Sequence, residues 1–185
     1  MTVAVIVPVK AFGQAKQRLS AVLSIEERAV LARKMAQRVL AAAQPLSVFV
    51  VCDDTEVATW AQSLGANVID TPGLGLNGAV TSAYRAVGQE GFERAIVAHG
   101  DLPHATNLGW LADVEGIVLV PDRRHDGTNV ISLPTGCNFE FAYGPGSLGR
   151  HQQSAIATGL PWRVIEDARL GWDVDVPADM TGDRF

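Results

Sequence analysis

The chain has 185 residues, of which 48% are hydrophobic and 19% charged, and its formal net charge is -5. This length and composition predict one globular domain spanning residues 1–185 and exclude an intrinsically disordered chain. The acidic balance argues against nucleic-acid binding, no apolar run approaches the ~20 residues of a membrane span, and no signal peptide is recognisable, so we expect a cytoplasmic protein.

The first half of the chain alternates apolar runs with amphipathic segments. Residues 3–9 form a β-branched run that is typical of a strand buried on both faces. After a loop over residues 10–20, Ser24 and Glu27 form a capping box that begins a helix ending near Ala43. The same criteria predict strands at 48–51, 67–70 and 94–99, a helix capped by Asp53 or Asp54, and a helix over about 79–90 after a glycine-rich turn.

The second half has shorter elements. They are a helix at 108–114, a strand at 117–121, a turn at 126–129, a strand at 130–133, a helix from about 147 to 158 and a strand at 162–165. Strands that alternate with helices predict an α/β fold, with a mostly parallel sheet between two helical layers.

Three aspartates form a candidate metal site. Asp173 and Asp175 flank Val174, and in an extended chain this spacing points both carboxylates to the same side. Asp101 follows the apolar run that ends at Gly100, and open α/β sheets bind ligands at that edge. Because clustered carboxylates repel one another, a divalent cation is expected among them. For Asp101, the capping of a helix is the alternative.

Cations follow the first predicted strand. The loop contains neither a dinucleotide-binding glycine motif nor a Walker A sequence, but it carries Lys10, Lys16 and Arg18. Such side chains at the ligand edge suit a triphosphate, and arginine can bind it with two hydrogen bonds. A solvated basic loop is the alternative.

Glycine-rich segments supply further candidates. Gly75 allows close backbone approach to a base or phosphate, and Asn77 offers a donor and an acceptor; the alternative is a turn with asparagine as a helix cap. Gly144 and Ser147 begin a helix whose N–H groups favour an anion, to which Thr128 can add a hydroxyl. A hairpin turn and simple serine capping are the alternatives there.

The histidines are not predicted to bind metal. We expect His99 and His104 to be packed or solvated side chains. His151, one turn into the helix after Ser147, either faces the anion or covers the protein surface, and we favour the surface.

In this order, the segments resemble those of the 2-phospho-L-lactate and phosphoenolpyruvate guanylyltransferases of coenzyme F420 biosynthesis. The resemblance spans nearly the whole chain, and the order of the motifs makes it specific. It is carried by Pro8-Val9-Lys10, Ala15-Lys16-Gln17-Arg18-Leu19, Gly75-Leu76-Asn77, Gly100-Asp101-Leu102-Pro103, Pro121-Asp122-Arg123, Asp126-Gly127-Thr128-Asn129, Tyr143-Gly144-Pro145-Gly146-Ser147 with His151, and Asp173-Val174-Asp175-Val176-Pro177.

The resemblance implies a nucleotidyltransferase-type, Rossmann-like fold and a Mg²⁺-dependent enzyme. It implies transfer of GMP from GTP to a phosphorylated three-carbon acid with release of pyrophosphate, and a downstream F420 transferase as a partner. The implied roles are metal binding by Asp101, Asp173 and Asp175, acid binding by Thr128, Gly144 and Ser147, nucleotide binding by Lys10, Lys16, Arg18, Gly75 and Asn77, and catalysis by Lys16, Arg18 and Asp101.

Two positions depart from the family pattern. His104 stands where a small or apolar residue is expected, and Gly78 stands where alanine is commoner. Other interpretations are a nucleotidyltransferase for a sugar phosphate or of the molybdenum-cofactor type, whose motif after the first strand is missing here, or a non-catalytic nucleotide-binding module. The choice of acid and of base is left open by the residues, because a single hydrogen bond or methyl-sized pocket can decide it.

Overall fold

A computed structural model describes residues 1–180. The strands are β1 Val3–Pro8, β2 Ser47–Cys52, β3 Asn67–Asp70, β4 Arg94–Ala98, β5 Ile117–Pro121, β6 Thr128–Pro134 and β7 Trp162–Val164. The α-helices are α1 Ile25–Ala42, α2 Thr55–Ser63, α3 Gly75–Gln89 and α4 Ser147–Ala157. Short 3₁₀ helices lie at Phe12–Gln14, Gln17–Leu19, Gly109–Asp113 and Pro177–Met180.

The strands form a single mixed sheet. The seven strands of residues 1–180 follow the order β3-β2-β1-β4-β6-β5-β7. Strand β6 runs antiparallel to both of its neighbours, and every other pairing in the sheet is parallel. The predicted mostly parallel α/β sheet is therefore confirmed.

Alternation along β1 explains the layers. Val5 and Val7 are buried in a cluster with Val39 of α1, whereas Ile6 is buried in a second cluster with Val80 of α3 and with residues of α4. Successive side chains of a strand point to opposite faces, so a strand that is apolar at every position needs cover on both. The predicted three-layer sandwich is confirmed. Within residues 1–180, no helix is long and apolar enough to span a membrane.

The predicted helix caps form. The Glu27 N–H donates to Ser24 Oγ at 3.1 Å and the Ser24 N–H donates to Glu27 Oε2 at 2.8 Å, which completes the capping box of α1. Of the two aspartates considered for α2, Asp54 is the cap, because its Oδ1 accepts from the Val57 N–H at 3.0 Å.

Two predicted boundaries were wrong, and one predicted short helix is a 3₁₀ helix. Helix α3 begins at Gly75 and not near residue 79, so the glycine-rich turn ends at Gly73 and Leu74. Thr128 and Asn129 belong to β6 and not to the turn before it. The predicted helix at 108–114 is a 3₁₀ helix. Glycine lowers local helix propensity, but tertiary contacts to the first turn of α3 override that preference.

Candidate functional site

The carboxyl ends of β1, β2 and β4 open onto a cleft of about 750 Å³. This volume lies within the range of small-molecule sites, and the position is where parallel sheets bind ligands. The cleft is lined by these predicted site residues: Lys10, Lys16, Arg18, Gly75, Asp101 and Asp175. These residues come from distant parts of the chain and meet in one cleft.

The loop after β1 is anchored on both sides of Lys16. Phe12 is buried and contacts Trp60 edge to face, with 5.1 Å between ring centroids, and Leu19 is buried with Met35. Between these anchors Lys16 has a φ of 52°. A non-glycine residue in the left-handed region is uncommon and tends to mark functional sites, where the surrounding packing enforces it.

Lys16 bridges two of the predicted metal ligands. Its Nζ donates to Asp101 Oδ2 at 2.5 Å and to Asp175 Oδ1 at 3.0 Å. Burial alone would lower the pKa of Lys16, but the two carboxylates more than offset it and raise this pKa above its ordinary value. Burial alone would likewise raise the pKa of Asp101, but Lys16 holds it below its ordinary value. Lys16 and Asp101 are therefore both charged at neutral pH.

Arg18 differs from Lys16 in its exposure. Its guanidinium lies 3.7 Å from Asp175, and 73% of its side chain is exposed. An exposed ion pair of this kind contributes little to stability. The guanidinium therefore remains accessible to an anion that enters the cleft.

Asp173 is buried beside the other two aspartates. Val174 is buried against Leu19, and Asp173 has a pKa raised to about 6, first by burial and then by the charges of Asp101 and Asp175. Asp101 Oδ1 and Asp173 Oδ1 are buried, and neither has a hydrogen-bond partner within residues 1–180. Unpaired carboxylate oxygens suit a hard divalent cation.

The arrangement does not itself assemble a metal centre. Among residues 1–180, no group of three or more His, Cys, Asp or Glu side chains is placed to hold a metal ion. Lys16 instead occupies hydrogen-bonding positions on Asp101 and Asp175. Carboxylate oxygens are the type of donor that a divalent cation prefers, so the residue types fit such an ion. Metal binding by the three aspartates stays a prediction.

This electrostatic arrangement predicts a pH-dependent response to cations. Because the folded-state pKa of Asp173 is raised to about 6 from 3.8, its contribution to stability is present below pH 3.8 and is lost as the pH rises through 6. A bound cation offsets that loss. The increase in melting temperature on adding Mg²⁺ should therefore be larger at about pH 7.5 than at about pH 5. Differential scanning fluorimetry tests this, and an equal pH dependence in Asp173→Asn would contradict it.

The start of α3 also faces the cleft. Gly75 and Leu76 line the cleft, and Leu74 at the N-cap makes no side-chain capping hydrogen bond. The N–H groups of a first helical turn have no partners within the helix and favour anions. The corrected helix start thus places a helix N-terminus, and not a glycine-rich turn, beside the predicted nucleotide.

The Asn77 amide has a different partner from the predicted one. Its Oδ1 accepts from the Tyr143 N–H at 2.7 Å and its Nδ2 donates to the Tyr143 carbonyl at 3.3 Å. Asn77 does not line the cleft of about 750 Å³. In this structure Asn77 therefore joins α3 to the segment before Gly144, and its binding of the nucleotide stays a prediction.

Thr128 belongs to a buried hydrogen-bond chain. The Ala142 N–H donates to His151 Nε2 at 3.0 Å, so the other ring nitrogen, Nδ1, carries the proton and donates to Thr128 Oγ1 at 2.9 Å. Burial, followed by the influence of His99 and Arg150, lowers the pKa of His151 to about 4. The prediction that His151 covers the surface was wrong, because this ring is fully buried.

The predicted anion cradle at α4 is satisfied internally. The Gly146 N–H donates to Asp126 Oδ2 and the Ser147 N–H donates to the Gly144 carbonyl, both at 3.0 Å. Ser147 is buried, and neither it nor Gly144 nor Thr128 lines the cleft of Lys16. The predicted acid-binding residues therefore lie outside the cleft that holds Lys16 and Asp101, and acid binding by these three residues stays a prediction.

Asp179 is a site residue that the sequence did not reveal. Its carboxylate is fully buried and accepts from the N–H groups of Asp175 and Val176 at 2.7 and 2.9 Å. It also pairs with Arg123 and with Arg124, the latter at 2.7 Å. Asp179 thus holds the backbone of Asp175 against the turn after β5. The only local signal is an aspartate four residues after Asp175, a spacing that also suits a simple helical cap.

Comparisons with known proteins identify the family. Residues 3–182 match the family model described as "Guanylyl transferase CofC like". The phosphoenolpyruvate guanylyltransferase of Sphaerobacter thermophilus is 35% identical over 97% of this chain and 91% of its own length. The 2-phospho-L-lactate guanylyltransferase of Methanocaldococcus infernus is 24% identical over 95% of this chain and 81% of its own length.

A solved structure shares the fold. The putative nucleotide-diphospho-sugar transferase from Desulfovibrio desulfuricans G20 has a TM-score of 0.76 and 18% identity, covering 95% of this chain and 84% of that one. Nucleotidyltransferases of this kind generally use a divalent metal. The match over nearly the whole sequence shows that the chain belongs to the CofC-like guanylyl transferase family of nucleotidyltransferases.

Proposed function

We propose that this chain transfers GMP from GTP to a phosphorylated three-carbon acid, with release of pyrophosphate, in the cytoplasmic synthesis of coenzyme F420. Phosphoenolpyruvate is the first candidate acceptor and 2-phospho-L-lactate the second, since relatives bear both names. The observation that carries the proposal is the meeting of Lys16 and Arg18 with Asp101 and Asp175 in one cleft. Cations suited to a triphosphate thus lie beside carboxylates suited to its metal.

The reaction requires little covalent chemistry from the protein. A phosphate oxygen of the acid attacks the α-phosphorus of GTP, a new P–O bond forms, and the bond to the β-phosphate oxygen breaks so that pyrophosphate leaves. The attacking phosphate is already ionised at neutral pH, so no general base is required. The barrier is dominated by the repulsion between two anions, which fixed cations reduce.

The named residues have distinct tasks in this proposal. Lys10, Lys16 and Arg18 bind the phosphates of GTP, and α3 offers its N-terminal N–H groups to the same anion. Asp101, Asp173 and Asp175 would hold Mg²⁺, which when bound offsets the negative charge of the triphosphate. Thr128, Gly144 and Ser147 bind the acid, which requires the loop before α4 to come into contact with the cleft.

Pyrophosphate release tests the proposal directly. Purified protein is given GTP, Mg²⁺ and, in separate reactions, phosphoenolpyruvate, 2-phospho-L-lactate or 3-phospho-D-glycerate. We expect release with phosphoenolpyruvate or 2-phospho-L-lactate, no release without an acid, and loss of activity with a chelator. The downstream F420 transferase is added to draw off an unstable product. Absence of release with every acid, even with that transferase present, rules the proposal out.

A further inference from the structure

Two neighbouring rings each carry a buried polar atom that has no partner among the described residues. His99 and Tyr143 contact each other with 4.9 Å between ring centroids. Among the described residues, neither His99 Nε2 nor the Tyr143 hydroxyl has a hydrogen-bond partner, although both atoms are buried. Leaving such groups unpaired is costly, and native proteins satisfy nearly all of them with protein, water or ligand.

His99 and Tyr143 connect the cleft to the hydrogen-bond chain of Thr128 and His151. His99 follows β4 and lines the cleft together with Lys16 and Asp101. Tyr143 also contacts His151 edge to face, with 4.8 Å between ring centroids, and His151 is hydrogen-bonded to Thr128. A ligand that contacted both the charged cleft and the Thr128 group would meet these two rings.

The Tyr143 hydroxyl is a hydrogen-bond donor. Burial raises its pKa well above the ordinary value of 10, so the group stays protonated. Its backbone is held by Asn77, and only 8% of the residue is exposed. The Tyr143 ring is therefore fixed in position. A fixed neutral donor suits a carboxylate or phosphate oxygen of an anion that binds beside it, away from solvent.

We infer that Tyr143 and His99 bind the acceptor acid, with the Tyr143 hydroxyl donating a hydrogen bond to one of its anionic oxygens. This inference rests on the proposed function and adds to it two specificity residues. GTP already has the cations of the cleft for its phosphates. The uncharged hydroxyl of Tyr143, whose ring contacts the Thr128 partner His151, is suited to the smaller anion.

Tyr143→Phe separates this role from a structural one. The change removes a single oxygen and keeps the ring contacts with His99 and His151. We expect the KM for the acid to rise by roughly 10–100-fold, as for loss of a hydrogen bond to a charged group, while the KM for GTP stays unchanged. Tyr84→Phe is the matched control, since the Tyr84 hydroxyl donates to the Pro134 carbonyl at 2.7 Å, whereas the Tyr143 hydroxyl has no partner among the described residues. Its KM for the acid should stay at the wild-type value.

Thermal shifts give a second readout that does not need turnover. Without acid, Tyr143→Phe should melt at the wild-type temperature or higher, because it removes a buried hydroxyl that lacks a partner. With saturating acid, the wild type should gain stability and Tyr143→Phe should gain less. A purely structural hydroxyl would instead lower the melting temperature in both conditions.

The outcomes distinguish failure of this inference from failure of the proposed function. If the wild type releases pyrophosphate and Tyr143→Phe keeps its KM and its acid-induced shift, the hydroxyl is satisfied by water only and the inference is overturned while the function stands. If the wild type neither turns over nor is stabilised by any of the acids, the proposed function fails, and the inference fails with it.

Discussion

Asp101→Asn is expected to lower the rate of pyrophosphate release on the order of 100–1,000-fold, the range for loss of one charge-stabilising group in an active site. The amide keeps the shape of the side chain but removes its charge, so Lys16 retains Asp175 as its one anionic partner within residues 1–180. The variant also loses a predicted metal ligand. Steady-state rates across a range of Mg²⁺ concentrations measure both effects.

The dependence on Mg²⁺ separates these two roles of Asp101. If Asp101 holds the metal, the variant needs more Mg²⁺ for half-maximal rate, and the metal-dependent thermal shift disappears in both Asp101→Asn and Asp175→Asn. If Asp101 only neutralises Lys16, the Mg²⁺ requirement stays at the wild-type value. Asp113→Asn is the matched control, because Asp113 is exposed in the 3₁₀ helix Gly109–Asp113 and does not line the cleft. A wild-type rate in Asp101→Asn would contradict the assignment.

Asp179→Ala is expected to lower the free energy of unfolding by about 3 kcal/mol, the low end of the range for breaking a buried ion pair. The low end applies because Arg123 and Arg124 are 27% and 41% exposed and regain some hydration. The N–H groups of Asp175 and Val176 lose their acceptor as well. Urea unfolding measures the loss, and the melting temperature should fall by roughly 2–4 °C per kcal/mol.

Asp179→Asn refines this test. The amide oxygen can still accept from the two backbone N–H groups, whereas the charge that pairs with the arginines is gone. We expect its stability to lie between those of the wild type and the alanine variant. Its Mg²⁺ requirement should change less than that of Asp179→Ala, because Asp175 stays in position. Equal losses of stability and metal response in the two variants would contradict the positioning of Asp175 by Asp179.

The fold was largely predictable because its signals are local. The apolar run of β1, the capping box of Ser24 and Glu27 and the Asp54 cap each depend on neighbouring residues, and each formed as predicted. The position of β6 in the sheet was not predictable in the same way. Its insertion between β4 and β5 depends on pairing with β4, which is distant in sequence, and a local apolar pattern carries no information about that pairing.

The site was only partly predictable for a related reason. Residues that follow β1 and β4 meet at one edge because parallel strands end together, so Lys16 and Asp101 were found from the chain alone. The burial of His151 and the protein partner of Asn77 were not predictable because they depend on contacts with other segments of the chain: Tyr143 for Asn77, and Thr128 and Ala142 for His151. A polar side chain in a sequence does not show whether its partner is protein, water or ligand.

The sequence by itself determined the α/β class, the set of charged residues at the ligand edge and the family, because strand patterns, caps and ordered motifs are all readable along the chain. Only the tertiary structure decided that Lys16 bridges Asp101 and Asp175, and that buried Asp179 holds the backbone of Asp175. It also decided that His99 and Tyr143 contact each other and that each has a buried polar atom without a partner among the described residues. Burial and hydrogen-bond partners arise from packing between distant segments, and they determine which carboxylates are paired and which polar atoms remain for a ligand.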